Sequence, residues 1–285
     1  MDSIAKYFSL VKFSHTIFAL PFALIGFFLA VQYAHYELSW WIFILVLLCM
    51  IFARNAAMGF NRYIDRNIDK LNPRTAIRDI PSGKINSTNA LLFVIANALL
   101  FISTTWFINR LVFFLSPVAL LVVMGYSFTK RFTFLCHFIL GIGLALAPIG
   151  AYLAVSGKFN LVPVLFSFIV LFWTAGFDII YALQDDSFDK EHQLFSIPVW
   201  LGKKKALIVS SLLHFLVSLI IIAAGFYAHF GLWYWFGAFV FILLLIYQHT
   251  IVKVDDLSRV NLAFFTTNGI ASVLFSCFTI LSLFL

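Results

Sequence analysis

Two short stretches of this 285-residue sequence carry carboxylates at a spacing that suits a divalent cation. The first, Asn61-Arg-Tyr-Ile-Asp65-Arg-Asn-Ile-Asp69, sets an amide and two carboxylates four residues apart, which on a helix is one row on one face. Like charges at that spacing repel by about a few tenths of a kcal/mol, so their alignment points to a cation in front of them. Mg²⁺ is such a cation: one or two carboxylates hold it, and water and substrate phosphate fill its other positions. The second stretch, Asp178-Ile-Ile-Tyr181-Ala-Leu-Gln184-Asp185-Asp186-Ser-Phe-Asp189, repeats the spacing with Asp185 and Asp189, one turn past Tyr181. Asp178 lies inside an apolar run, where an unpaired charge is expensive and an acid is functional by default. For a single row, a solvated helix end with ion pairs to Arg66, Lys70 or Lys190 would be the simpler reading. Two matching rows and an acid in an apolar run favour a metal–diphosphate site.

Cations stand close to both rows in the sequence. Arg74 and Arg78 follow the first row in a stretch flanked by Pro73 and Pro81, and Tyr126-Ser-Phe-Thr-Lys130-Arg131 ends another apolar run. Arg matches phosphate oxygens with a two-pronged fork, while Lys offers a point charge. Orientation in a membrane or contact with lipid headgroups accounts for such residues equally well at Arg78, Lys130 and Arg131, and better at Lys203, Lys204 and Lys205.

The elements that position these residues are long apolar helices. Mean hydropathy is +1.01, with 63% apolar and 11% charged residues, against about 45–50% and 25% in soluble domains. Runs of about 18–25 residues match a hydrocarbon core about 30 Å thick. Their length excludes barrel strands, and lipid requires the backbone to satisfy itself, so the expectation is an all-α integral membrane protein. Nine spans are predicted, near 15–34, 40–60, 89–108, 111–127, 134–154, 161–184, 206–228, 232–251 and 261–284. No small-residue cleavage site follows the first run, so it reads as a retained span. Nine spans with the amino terminus in the cytoplasm put 16 of 19 basic residues inside; Arg110 and Lys158 fall outside and Arg54 within the second span. Eleven of the twelve acidic residues share that side, Glu37 being the exception, and the cytoplasmic segments 61–88 and 184–205 are the long polar ones. Both acid rows then follow a span on one side and can face one cavity. Cys49, Cys136 and Cys277 show no paired spacing and read as small core residues. The seven histidines are scattered. His35 falls in the first outer loop, and His15, His137, His192, His214, His229 and His249 read as interface or packing residues.

These residues carry a family resemblance. The run from Arg54 through Asn61, Asp65 and Asp69, then Asn72-Pro-Arg74-Thr75, Ile80-Pro81-Ser82-Gly83, Tyr126 to Arg131, and Asp178 through Asp189 resemble the UbiA family of membrane prenyltransferases, most of all its 4-hydroxybenzoate polyprenyltransferase branch. The resemblance spans essentially the whole chain. It implies one prenyltransferase domain over residues 1–285, with nine transmembrane helices around a central cavity and cytoplasmic cap segments. It further implies that Asn61, Asp65, Asp69, Asp185 and Asp189 hold Mg²⁺ on a polyprenyl diphosphate, that Arg74, Arg78 and Lys130 neutralise the diphosphate, and that Arg131, Tyr126 and Tyr181 border the aromatic acceptor. The chain departs from the branch pattern in having Gln193 where Gly is common, Phe195 where His is common and Trp200 where Arg is common.

The chemistry expected is electrophilic aromatic substitution on a 4-hydroxybenzoate-like acceptor in ubiquinone-type quinone biosynthesis, with Asp178 or water taking the ring proton. The chain's aromatic residues would line an apolar chamber for the allylic cation. The expected setting is the cell inner membrane, with membrane lipid and no nucleic acid among the partners and the carboxyl terminus outside. A dihydroxynaphthoate-type acceptor keeps the same chemistry. A secondary transporter is the alternative of another class, although transporters carry their charges near the bilayer midplane.

Overall fold

The computed structural model describes residues 7, 9–11 and 13–285, with only the backbone of residues 13–15. Lys6 and Lys12, expected on the cytoplasmic side, and the side chain of His15 lie outside the described residues. Helices make up 79% of the chain, and no strand occurs among the described residues.

A 3₁₀ turn at Phe13–Phe18 leads into α1 (Leu20–Phe28), which a π-helical turn at Leu29–Tyr33 extends. There follow α2 (Trp40–Leu71), α3 (Ser87–Trp106), α4 (Arg110–Thr129), α5 (Cys136–Ser156), α6 (Leu161–Ala182), α7 (Asp186–Glu191), α8 (Ile197–Leu201), α9 (Lys203–Tyr227) and α10 (Leu232–Ile251). A second π-helical turn, Leu262–Thr267, opens α11 (Asn268–Phe284). Among the described residues nine helices are long and apolar enough to cross a membrane, and they coincide with the nine expected spans. The second departs most from its expected bounds: α2 has 32 residues, about 48 Å at 1.5 Å per residue. A hydrocarbon core takes about 20 of these, and the remaining turns carry the first acid row beyond it.

Side-chain caps set several boundaries. Asn86 accepts a hydrogen bond from the Thr88 backbone N–H at the start of α3, Asn160 from that of Val162 at α6, and Ser196 from that of Val199 at α8. Gly157, with φ 63°, closes α5 in the left-handed conformation that glycine adopts without strain.

The chain forms two compact units, one from Met1–Thr16 with Trp40–Phe128 and the other from Ile17–Ser39 with Thr129–Leu285. In the first, Leu10 packs with Ile80, Ile85 and Ala90, Tyr7 stacks on Phe93 at 4.9 Å, and Ser9 Oγ donates to Asp79 at 3.1 Å. These contacts fasten the segment that follows the first acid row. In the second, an aromatic core is built on Phe22, Phe166, Trp173, Phe177, Phe241 and Phe275. Its helices approach closely where a side chain is missing: a Cβ on Gly26 would overlap the Pro148 carbonyl, and one on Gly141 that of Leu171. Two polar pairs are set into that core, with Trp173 Nε1 donating to Asn268 Oδ1 at 2.8 Å and His214 Nδ1 lying 2.8 Å from His249 Nε2.

The cysteines depart from expectation in part. All three are free, but only Cys136 is buried; Cys49 is half-buried and Cys277 exposed. A thiol on an apolar helix face is as compatible with lipid as with a core.

Candidate functional site

The first acid row lies on the last turns of α2. Asn61 Nδ2 donates to Asp65 Oδ2 at 2.9 Å, so the expected alignment of four-spaced residues is present. Asp69, 5% exposed, ends the row and receives a two-pronged contact from Arg78, whose Nη1 lies 2.6 Å from Oδ1 and 2.8 Å from Oδ2. The segment between them is folded to deliver that guanidinium. Asn72 Oδ1 accepts from the Arg74 backbone N–H at 2.9 Å and Thr75 Oγ1 donates to the Asp69 carbonyl at 3.0 Å. Arg66 is not an ion partner of the row: its Nη1 donates to the Tyr63 carbonyl at 2.6 Å and its guanidinium carbon lies 4.3 Å from the centre of the Tyr63 ring. The cation on Asp69 is thus the more distant Arg78, nine residues on. Arg54, which opens the run that carries the family resemblance, is half-buried within α2 and donates from Nη2 to the Val11 carbonyl at 3.4 Å.

The second row is built differently. α6 ends at Ala182, and Leu183 to Asp185 form a turn before α7, so Asp185 immediately precedes α7 and Asp189 lies one turn into it. The Asp189 backbone N–H donates to the Asp185 carbonyl at 2.7 Å, which keeps the four-residue spacing despite the break. The Asp189 carboxylate is 1% exposed, and Lys130 Nζ lies 2.7 Å from its Oδ2. Phe195 N–H donates to the Lys130 carbonyl at 2.7 Å, tying the same turn to the far side of the acid segment. Lys203, read from the sequence as a headgroup or orientation residue, forms an ion pair with Asp186 at 3.3 Å.

Asp178 does not stand as an unpaired charge. Its Oδ2 lies 2.7 Å from Nδ1 of His137 in the first turn of α5. Among the histidines read as packing residues, His137 is therefore the one drawn into the candidate site. Sequence alone carried no signal for it, because the partners are 41 residues apart. The Tyr181 ring lies against that of Phe264, with ring centres 4.3 Å apart and planes tilted by 33°.

A cavity of about 450 Å³ is lined by Arg131, Lys190, Gln193, Leu194, Phe195 and Val199. Arg131, expected at the acceptor, is on its wall. Gln193 takes φ 53°, which gives a physical reason for glycine in the family pattern at this position. Trp200, the third departure from the pattern, stacks on Phe134 with ring centres 4.0 Å apart.

No cluster of three or more His, Cys, Asp or Glu side chains that could share a metal ion occurs among the described residues. Each row offers two carboxylates, and the first adds an amide. That is a hard oxygen set of the size Mg²⁺ takes when phosphate and water complete its shell, and too small for an all-protein cage. The cation already seated on each buried terminal carboxylate shows that both row ends are built to face positive charge. The donor sets therefore fit Mg²⁺.

The model of the UbiA prenyltransferase family matches residues 19–270. The chain is 29% identical over 241 residues to the 4-hydroxybenzoate octaprenyltransferase of Aliivibrio fischeri (strain MJ11), covering 83% of this chain and 82% of that protein. It is 30% identical over 244 residues to the enzyme of the same name from Photobacterium profundum, covering 82% and 81%. Among solved structures, the apo form of a UbiA homolog from Aeropyrum pernix K1 superposes with a TM-score of 0.84 at 31% identity, covering 94% of this chain and 97% of that one. A UbiA homolog from Archaeoglobus fulgidus bound to DMAPP and Mg²⁺ shares the fold, with a TM-score of 0.74 at 21% identity over 98% and 99% of the two chains.

Proposed function

This chain belongs to the UbiA prenyltransferase family, and from that premise we propose that it transfers a polyprenyl group from an allylic diphosphate to an aromatic acceptor of the 4-hydroxybenzoate type, in ubiquinone-type quinone biosynthesis. The observation that carries the reading is the pairing of each buried terminal carboxylate, Asp69 and Asp189, with the cation assigned to diphosphate, Arg78 and Lys130. Ordinary solvated helix ends would pair with their nearest basic neighbours instead.

In this proposal Asn61, Asp65 and Asp69 hold Mg²⁺ from one row and Asp185 and Asp189 from the other, both rows serving one reaction within a single functional domain. Bound Mg²⁺ supplies charge stabilisation to the departing diphosphate. Arg74, Arg78 and Lys130 contact its oxygens and share that charge. The allylic C–O bond breaks with its electron pair going to diphosphate. A ring π pair ortho to the acceptor's hydroxyl forms the new C–C bond, and the ring C–H bond then returns its pair to the ring as Asp178 takes the proton. Arg131 holds the acceptor's carboxylate, with Tyr126 and Tyr181 beside the ring. The aromatic side chains exclude water from the cation.

The sidedness of Lys and Arg supports a multi-pass protein of the cell inner membrane, amino terminus in the cytoplasm and carboxyl terminus outside. Phe195, 45% exposed on the cavity wall where the family pattern given by the resemblance has histidine, favours a second reading in which the acceptor is a dihydroxynaphthoate-type bicycle. Competition between the two acceptors for one allylic diphosphate decides. Preferential prenylation of 4-hydroxybenzoate supports the first reading, preferential prenylation of the naphthoate replaces it with the second, and transfer to neither sinks both.

A further inference from the structure

The acid assigned to the ring proton has a partner that the reaction as described does not use. His137 is 2% exposed, and while its Nδ1 faces Asp178 Oδ2 at 2.7 Å, its Nε2 lies 3.3 Å from the backbone nitrogen of Ile197, the first residue of α8. A backbone N–H can only donate, so Nε2 accepts there and carries no proton. The ring proton is therefore on Nδ1, aimed at the carboxylate. The segment that supplies this N–H is itself held: Phe195 donates its N–H to the Lys130 carbonyl at 2.7 Å, and Cys136 Sγ lies 3.5 Å from the Phe195 carbonyl. The imidazole is thus a neutral donor whose tautomer is fixed from its far side. The Asp178 side chain keeps 23% exposure against 3% for His137, so the acid is the member of the pair that reaches past the packing.

We propose that His137 is a positioning residue for Asp178, orienting its carboxylate to receive the proton lost from the acceptor ring. The inference rests on the aromatic prenyl transfer proposed above. In the step concerned the ring C–H bond breaks, its electron pair restores aromaticity, and the proton joins the Asp178 carboxylate; the Nδ1–H of His137 stays in its hydrogen bond throughout. No oxidant or further reactant is required.

The test uses the full chain in lipid nanodiscs. His137→Gln keeps an amide donor and a carbonyl acceptor, and His137→Leu has neither. H137L is expected to lower kcat by about 10- to 100-fold, the size of effect carried by partners that orient a reactive group, with KM for both substrates changed less than ~3-fold. With an acceptor deuterated at the ring carbon that reacts, the isotope effect on kcat rises in H137L above that of the wild type, because proton removal has become slower. H137Q recovers most of kcat and the wild-type isotope effect. An H137L protein with wild-type kcat and isotope effect overturns the proposal. Should H137L fail to fold, H137Q decides against an Asp178→Asn reference: near-wild-type behaviour supports the proposal, and kcat as low as that of D178N overturns it. Absence of aromatic prenylation by the wild-type protein would overturn the function and this inference together.

Discussion

The two acid rows reach the same spacing by different routes. The first lies on one uninterrupted helix, α2, whose 32 residues carry Asn61, Asp65 and Asp69 past the apolar part of the span as a rigid extension. The second follows a break: α6 stops at Ala182, and a short helix that begins just after Asp185 rebuilds the turn that holds Asp189. The terminal carboxylate is buried in each, and in each its cation comes from outside the row, Arg78 from the next segment and Lys130 from the turn after α4. The helical turn supplies spacing in both cases, whereas burial and neutralisation come from elsewhere in the chain. A row on a continuous helix needs little support. A row after a break depends on the contacts that fasten it, here Lys130 to Asp189, Phe195 to Lys130 and Lys203 to Asp186.

The comparison can be broken most severely at the carboxylates themselves. Asp65→Ala and Asp185→Ala should each lower Mg²⁺-dependent transfer by about 10³-fold, the scale on which preorganised charge stabilisation acts, in turnover assays at saturating diphosphate. Loss in one variant and retention in the other would mean that the rows are not equal partners. Next in size is stability. Lys130→Met takes the ammonium away from the buried Asp189 and should cost about 3 kcal/mol in unfolding, because removing one member of a buried ion pair is expensive. Arg78→Met at the more exposed Asp69 should cost less, about 1–2 kcal/mol, in the same denaturation experiment. Equal losses would contradict the view that the broken row is the more dependent one. A smaller effect is expected at Gln193, whose left-handed backbone favours glycine: Gln193→Gly should raise the thermal midpoint by an amount equivalent to about 0.5–1 kcal/mol. The smallest is Ser9→Ala, which removes an exposed hydrogen bond to Asp79 and should cost about 0.5 kcal/mol or less by the same measure.

Much of this architecture was legible in the sequence because a membrane imposes strong constraints. The apolar runs marked the nine helices, and the first row could be read directly because α2 continues through it. The break after Ala182 was hidden: Leu183 and Gln184 continue an ordinary helical pattern, and neither Gly nor Pro marks the turn. The pairing of His137 with Asp178 was hidden for another reason. It depends on how α5 packs against α6, and a lone histidine in an apolar run looks like any other packing residue. The pairing of Lys203 with Asp186 was hidden likewise, since the fold of the segment between them brings the two together. The left-handed backbone of Gln193, φ 53°, was hidden as well, because nothing in the residue type signals it.

The central claim is that the two rows together run a metal-dependent prenyl transfer. The most direct measurement is product formation from an allylic diphosphate and 4-hydroxybenzoate by the purified protein, with Mg²⁺ and with a chelator, in the wild type and in D65A and D185A. The account predicts a prenylated aromatic product that requires Mg²⁺ and disappears in both variants. Undiminished transfer in the presence of chelator, or in either variant, would contradict it.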